Sequence, residues 1–177
     1  MKGLLMVHTG EGKGKTTAAL GLALRAFGAG LKILILQFIK GGQNYGELDA
    51  IKILEKIPDF QGKIKIKQCG IGFTSKGDFS EHKKFAQETL NFAEKEILSG
   101  EWDLIILDEI NYAVKFGLIT EEEIFSLIKK RPPNLHLLLT GRDALSEIIE
   151  IADLVTEMKL IKHPFQKGIK AQQGIEF

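Results

Sequence analysis

The stretch Val7-His8-Thr9-Gly10-Glu11-Gly12-Lys13-Gly14-Lys15-Thr16-Thr17 limits most sharply what this chain can fold into. An apolar run, Leu4 to Val7, precedes it, and Ala18 to Ala26 follows with helical character. Strand, glycine-rich turn and helix are the context of a phosphate-binding loop. Closely spaced glycines let successive backbone N–H groups face one concavity, and the helix N-terminus adds positive potential there. Lys15 is placed to reach phosphate oxygens and the Thr16 hydroxyl to ligate Mg²⁺. The pattern departs from G-x-x-x-x-G-K-[ST] at its first position, where Thr9 stands and glycines follow at Gly10 and Gly12. The phosphates are therefore expected in an unusual register. The candidate nucleotide-binding residues are Thr9, Gly10, Glu11, Gly12, Lys13, Gly14, Lys15, Thr16 and Thr17.

The remaining pattern fits a sheet built around this loop. Ile33 to Leu36 and Leu104 to Leu107 are continuous apolar runs, the signature of parallel strands covered on both faces. His136 to Thr140 is a further strand, and Leu154 to Met158 a last one. Ile64 and Ile66 alternate with lysines, which predicts a half-exposed strand. Helical spacing predicts helices over 15–27, 48–57, 80–98, 120–130 and 144–151. Thr120 with Glu123 forms a capping box, and Pro132-Pro133 ends that helix. The helix after the glycine loop is apolar nearly all round, which predicts packing on both sides. Strands alternating with helices predict an α/β fold: a parallel sheet flanked by helices on both faces. At 177 residues the chain is the size of one domain.

In such sheets the binding crevice lies at the C-terminal strand ends. Five segments should meet there: 9–17, 37–40, 68–78, Asp108-Glu109 and Thr140-Gly141-Arg142. Asp108 and Glu109 end the strongest strand and can hold Mg²⁺ with Thr16, an ion that takes few protein ligands beside water and phosphate. Lys13 and Lys15 suit a triphosphate, with Lys13 alternatively a solvated lysine. Arg142 suits phosphate or a second substrate's carboxylate, and alternatively a surface ion pair. Phe73 lies in a glycine-bearing loop, exposed or anchoring that loop on the core. His8 and His136 fall in buried strands and are expected to be satisfied core residues. The histidines show no metal-ligand spacing. These residues alone leave open a phosphotransferase or hydrolase of ordinary orientation, or a nucleotide-binding regulatory module.

A net charge of +1 argues against a nucleic-acid binder. One cysteine, Cys69, suits a reducing cytoplasm, and no apolar stretch is long enough to span a membrane.

Thr9-Gly10-Glu11-Gly12-Lys13-Gly14-Lys15-Thr16-Thr17, Gln37-Phe38-Ile39-Lys40-Gly41, Gly72-Phe73-Thr74, Leu107-Asp108-Glu109, Thr140-Gly141-Arg142 and the tail from Lys162-His163-Pro164-Phe165 to Gly174-Ile175 together resemble the P-loop ATP:cob(I)alamin adenosyltransferases. The resemblance runs collinearly through nearly the whole chain. It implies a P-loop NTPase-like fold of RecA type and a transferase. Co(I) of a reduced corrinoid would displace triphosphate from the 5′ carbon of ATP, which is bound in reverse along the loop. Lys13, Lys15 and Thr16 would be the catalytic residues, with Mg²⁺ at Thr16, Asp108 and Glu109. The resemblance also implies cobalamin or another corrinoid as substrate, a homodimer and a transient flavoprotein reductant. Phe73 would contact the corrinoid's lower face. Two departures stand out. Bacterial members have a tryptophan where this chain has Ser75, so Phe79 is a candidate substitute. They also carry an N-terminal extension over the site, whereas this chain enters its first strand directly, so the lid is expected to be missing or to come from elsewhere.

Overall fold

The computed structural model describes residues 2–42, 44–72 and 79–176. Phe73, the expected corrinoid contact, and Ser75 lie outside the described residues. The strands are β1 (Leu5–Thr9), β2 (Lys32–Gln37), β3 (Lys63–Gln68), β4 (Leu104–Asp108), β5 (His136–Thr140) and β6 (Leu154–Glu157). The helices are α1 (Lys15–Gly28), α2 (Gly46–Leu54), α3 (Phe79–Leu98), α4 (Ile110–Lys115), α5 (Glu121–Lys130) and α6 (Ser146–Ile151). A 3₁₀ turn covers Pro164–Lys167. The six strands form one sheet in the order β3-β2-β4-β5-β1-β6, and every pairing is parallel. The fold class expected from the alternating pattern is the one observed.

Side-chain alternation divides the core into two layers. Leu34, Leu36, Ile105, Leu107, Leu137 and Leu139 face α3, α4, α5 and α6. Met6, Ile33, Ile35, Ile64, Ile106 and Leu138 face α1 and α2. These apolar ladders explain why β2, β4 and β5 read as unbroken hydrophobic runs. β3 is an edge strand, and its alternating lysines keep that edge soluble. Lys63 and Lys67 turn to the α3 side, where their ammonium groups lie 4.5 Å and 4.3 Å from the ring centres of Trp102 and Phe92.

Three expectations change in detail. α1 packs with one face: Ala19, Ala23, Ala26 and Phe27 are buried, while Leu24 is 57 % exposed. α4 was not signalled by periodicity, because its short run Ile110–Lys115 follows directly on β4. α2 begins at Gly46 and ends at Leu54, starting two residues and stopping three residues before the bounds its apolar spacing suggested. The capping box of α5 forms as expected, with Glu123 N–H on the Thr120 hydroxyl at 3.2 Å and Thr120 N–H on the Glu123 carboxylate at 2.8 Å.

Candidate functional site

On the α1 side each apolar ladder ends, at the C-terminal end of its strand, in a polar residue. Two steps beyond Met6, Ile35, Ile66, Ile106 and Leu138 stand His8, Gln37, Gln68, Asp108 and Thr140. Gln37 is in register with both Gln68 and Asp108, and His8 with Thr140. One polar rung thus crosses five strands beneath the glycine loop. Insertion of β5 between β1 and β4 places Thr140 between the loop strand and Asp108.

Asp108 is the hub of this rung, 1 % exposed. Its Oδ1 accepts from the Thr16 hydroxyl at 2.9 Å and from the Thr140 hydroxyl at 2.7 Å, and its Oδ2 accepts from Gln37 Nε2 at 3.3 Å. The Thr140 oxygen in turn accepts the Glu109 N–H at 2.9 Å. That bond pins Glu109 in the left-handed region, φ 62°, a costly conformation for a residue with a Cβ. Burial first, and the neighbouring charge of Asp108 second, push the Glu109 carboxyl above the usual range, against the pull of Lys15, Lys40 and Arg142.

The buried atoms without a hydrogen-bond partner among the described residues are His8 Nδ1, Gln37 Oε1 and Gln68 Nε2, all in this rung. His8 is therefore not the fully satisfied core histidine expected. Burial lowers its pKa, partly offset by a hydrogen bond to the Lys15 backbone. His136 is satisfied: its Nδ1 accepts the Leu4 N–H at 3.2 Å.

Above the rung lies a cavity of about 570 Å³. Residues 12–17 floor it, and Lys40, Glu47, Glu109, Tyr112 and Arg142 wall it. His163 and residues 174–176 close one side. Among the described residues, four of the five converging segments contribute. Residues 69–72 of the fifth do not line it, although Gly70 and Gly72 donate to the carbonyls of Lys40 and Ile39 at 3.1 and 2.9 Å.

The glycine loop divides into two functional halves. Gly14 enters α1 with φ 116°, and the lining runs from Gly12 onward. Thr9, Gly10 and Glu11 do not line the cavity. The Thr9 hydroxyl accepts from Ala144 N–H at 3.2 Å, and Glu11 pairs with Arg142 at 3.2 Å. Gly12 N–H donates to the Met158 carbonyl at 2.6 Å, so this amide is turned away from the concavity. A Cβ on Gly10 would lie 2.5 Å from the same carbonyl oxygen. The segment after β6 therefore braces the loop's first half.

Lys15 is buried and donates to the carbonyls of Gly10 and Gly12, each at 2.7 Å. Burial lowers its pKa, and the charges of Glu109 and Glu11 oppose that effect. Lys13 reaches the chain's tail, bonding the Ile175 carbonyl at 3.1 Å and the Glu176 carboxylate at 3.2 Å. The site thus gathers Lys13, Lys15, Lys40 and Arg142 around Thr16, Asp108 and Glu109, an arrangement that balances a polyanion against a small carboxylate cluster.

With that geometry in place, comparison with known proteins decides the family. The family model described as ATP:corrinoid adenosyltransferase BtuR/CobO/CobP matches residues 1–177. The chain belongs to the ATP:corrinoid adenosyltransferase family. Corrinoid adenosyltransferases of a Sinorhizobium species, Pseudomonas aeruginosa and Escherichia coli K12 are 41 %, 38 % and 34 % identical to it. Each alignment covers 99 % of this chain and 81 %, 84 % and 86 % of the relative, respectively. Among solved structures, the KaiC-like protein PH0186 of Pyrococcus horikoshii OT3 superposes with a TM-score of 0.54 at 18 % identity, over 92 % of this chain and 75 % of that one. The RadB recombinase gives 0.50 at 17 % identity, over 91 % and 77 %. These two share the fold, which is P-loop NTPase-like as the resemblance implied.

In this adenosyltransferase-family chain the donors around Thr16 are all oxygens: one hydroxyl and the carboxylates of Asp108 and Glu109. No group of three or more His, Cys, Asp or Glu able to hold a metal occurs among the described residues. Sparse hard-oxygen ligation suits Mg²⁺ carried in with phosphates, and it does not suit a metal caged by protein alone. Lys40 belongs to the 37–40 segment expected at the crevice, and His163, Gly174 and Ile175 to the tail that carries the resemblance, whereas Glu47 and Tyr112 were not singled out from sequence. Glu47 and Tyr112 reach the site only through the packing of α2 and α4, which no local signal encodes.

Proposed function

We propose that this protein transfers the 5′-deoxyadenosyl group of ATP to Co(I) of a reduced corrinoid such as cobalamin, releasing triphosphate. The observation that carries this reading is a polyphosphate-sized cradle of Lys13, Lys15, Lys40 and Arg142 around Thr16 and Glu109, in a chain that matches the family model along its whole length. The cobalt(I) electron pair attacks C5′, a Co–C bond forms, and the C5′–O bond breaks with its electrons left on the triphosphate. Negative charge grows on that leaving group, so preorganised cations and backbone N–H groups at its oxygens are the catalytic need.

Lys13 and Lys15 bind the chain of phosphates, the amides from Gly14 onward cradle it, and Arg142 sits at its edge. Thr16 and Glu109, with Asp108 behind Thr16, would hold Mg²⁺. When bound, Mg²⁺ neutralises phosphate charge and screens the leaving group. ATP lies in reverse along the loop, a reading supported by the bracing of residues 9–12 against the segment after β6. Phe73 contacts the corrinoid's lower face. A homodimer, an external flavoprotein as electron donor and a cytoplasmic setting belong to the same reading and rest on the resemblance.

The deciding experiment mixes protein, ATP, Mg²⁺ and chemically reduced cobalamin. Absorbance should report a Co–C bond, and phosphorus NMR should report intact triphosphate. Production of ADP and phosphate, with no alkylcobalamin, would overturn the proposal in favour of ordinary phosphoryl transfer.

A further inference from the structure

Lys40 follows β2 and is held more rigidly than a surface lysine. Phe38 and Ile39 before it are 2 % and 5 % exposed, and Phe38 N–H donates to the Asp108 carbonyl at 3.0 Å. The Lys40 carbonyl accepts from Gly70 N–H at 3.1 Å. Gly41 passes so close to Gly70 that a Cβ there would lie 1.7 Å from the Gly70 carbonyl oxygen. The side chain is fixed as well. Its ammonium bonds Glu47 Oε1 at 2.9 Å and stands 4.4 Å from the centre of the Tyr45 ring. Both partners of the ion pair are about one-fifth exposed or less, at 20 % and 17 %, and both line the cavity.

Glu47 also faces inward. Gln37 Nε2 lies 3.4 Å from Glu47 Oε1 and 3.3 Å from Asp108 Oδ2. Gln37 is fully buried, with its Oε1 unpartnered among the described residues. A continuous chain therefore runs from Thr16 through Asp108, Gln37 and Glu47 to Lys40. It connects the floor of the cavity to its far wall, and α2 to the end of β4. Burial opposes the Glu47 charge, but the bonds from Lys40, its own backbone and Gln37 prevail and hold the carboxyl below its ordinary range. An ammonium group has three protons, and a single carboxylate oxygen takes one of them.

We propose that Lys40 is a further polyphosphate-binding residue of this site, positioned by Glu47, and that Gln37 ties this arm to the Asp108 carboxylate holding Thr16. The inference rests on the polyphosphate reading of the cavity and adds a cation and its support from outside the glycine loop. The arm approaches from the β2 side, opposite Arg142 on the β5 side, so the two cations flank whatever lies above Thr16.

The test is calorimetric titration of the full chain with inorganic triphosphate and with ATP, each at several Mg²⁺ concentrations. Lys40→Ala should weaken both by roughly tenfold, the scale of one lost charge-assisted contact, with little change in Tm. Lys40→Arg should recover part of the loss. Gln37→Leu should raise the Mg²⁺ concentration needed for half-maximal triphosphate binding, a change that simple loosening of the fold would not produce. Lys40→Ala binding both ligands within twofold of wild type at saturating Mg²⁺ would overturn the role of Lys40. An unmoved Mg²⁺ dependence in Gln37→Leu would overturn the link. If wild type binds triphosphate but forms no Co–C bond, the transferase reading falls while the Lys40 assignment is still decided by affinity.

Discussion

Replacing Thr140 by valine tests the polar rung directly. The substitution keeps the shape of a side chain that is 0 % exposed and removes one oxygen. That oxygen donates to Asp108 at 2.7 Å and accepts the Glu109 N–H at 2.9 Å. Losing a hydrogen bond to a carboxylate costs about 1.5–3 kcal/mol, and leaving the partly buried Glu109 N–H without a partner costs at most about 1–3 kcal/mol. The two losses share one atom and do not add fully, so a destabilisation of about 3 kcal/mol is expected. In a chain this long each kcal/mol shifts Tm by about 2–4 °C, giving a fall of roughly 6–12 °C. Urea unfolding followed by two probes, with calorimetry alongside, measures it. Thr140→Ser, which keeps the oxygen, should recover most of the loss. A Thr140→Val protein within about 0.5 kcal/mol of wild type, well below the scale of one buried polar loss, would refute the claim that this hydroxyl holds Asp108 and Glu109 together.

Glu109→Gln carries a pH signature. Because the folded state raises the Glu109 pKa, it binds that proton more tightly than the unfolded chain does, and wild-type stability falls as pH rises upward from the ordinary carboxylate range. The amide variant should be more stable than wild type at neutral pH, and the gap in thermal unfolding should close as the solution is made acid. Gly12→Ala would place a Cβ 2.7 Å from the carbonyl oxygens of Met158 and Lys159, both backbone, so overpacking of about 1–3 kcal/mol should appear in denaturation curves. Gly21→Ala meets no atom within 4 Å in the middle of α1 and should stabilise by about 0.5–1 kcal/mol in the same assay. Arg142→Ala breaks an exposed pair with Glu11 and should leave stability within about 0.5 kcal/mol of wild type. Its triphosphate affinity, read by calorimetry, should nonetheless fall.

The strands were legible in sequence because a parallel sheet buried on both faces demands unbroken apolar runs, and Ile33 to Leu36 and Leu104 to Leu107 supply them. The glycine loop and Asp108 were legible as neighbours because a strand, glycine turn and helix, and an acidic residue ending an apolar strand, are local patterns that a parallel sheet brings to one end. Which half of the loop faces the cavity was not. That depends on Gly12 N–H meeting the Met158 carbonyl, a contact across a large separation in the chain. Glu47 was hidden for the same reason: it precedes the expected helix 48–57 in a polar stretch, and only the fold brings it 2.9 Å from Lys40. His8 looked like a core residue because its neighbours are apolar. Register, which one strand cannot declare alone, places it beside Thr140 instead.

The rung also accounts for a cost that the core alone would not require. An aliphatic residue at position 68 would continue the α1-side ladder by one step and leave no orphaned amide there, whereas at position 37 it would also strip Asp108 Oδ2 of its bond from Gln37 Nε2. Each buried atom at Gln37, Gln68 and His8 that has no partner among the described residues would, left unpaired, cost stability on the scale of about 1–3 kcal/mol. All three lie on the same face and at the same level, at the C-terminal end of the apolar α1-side ladder. Among the described residues the unpaired polar groups thus gather at the C-terminal strand ends, the end of the sheet that also carries the glycine loop and Asp108. The fold supplies a rigid parallel platform, and the replacement of its last α1-side row by polar residues makes one end of that platform a site.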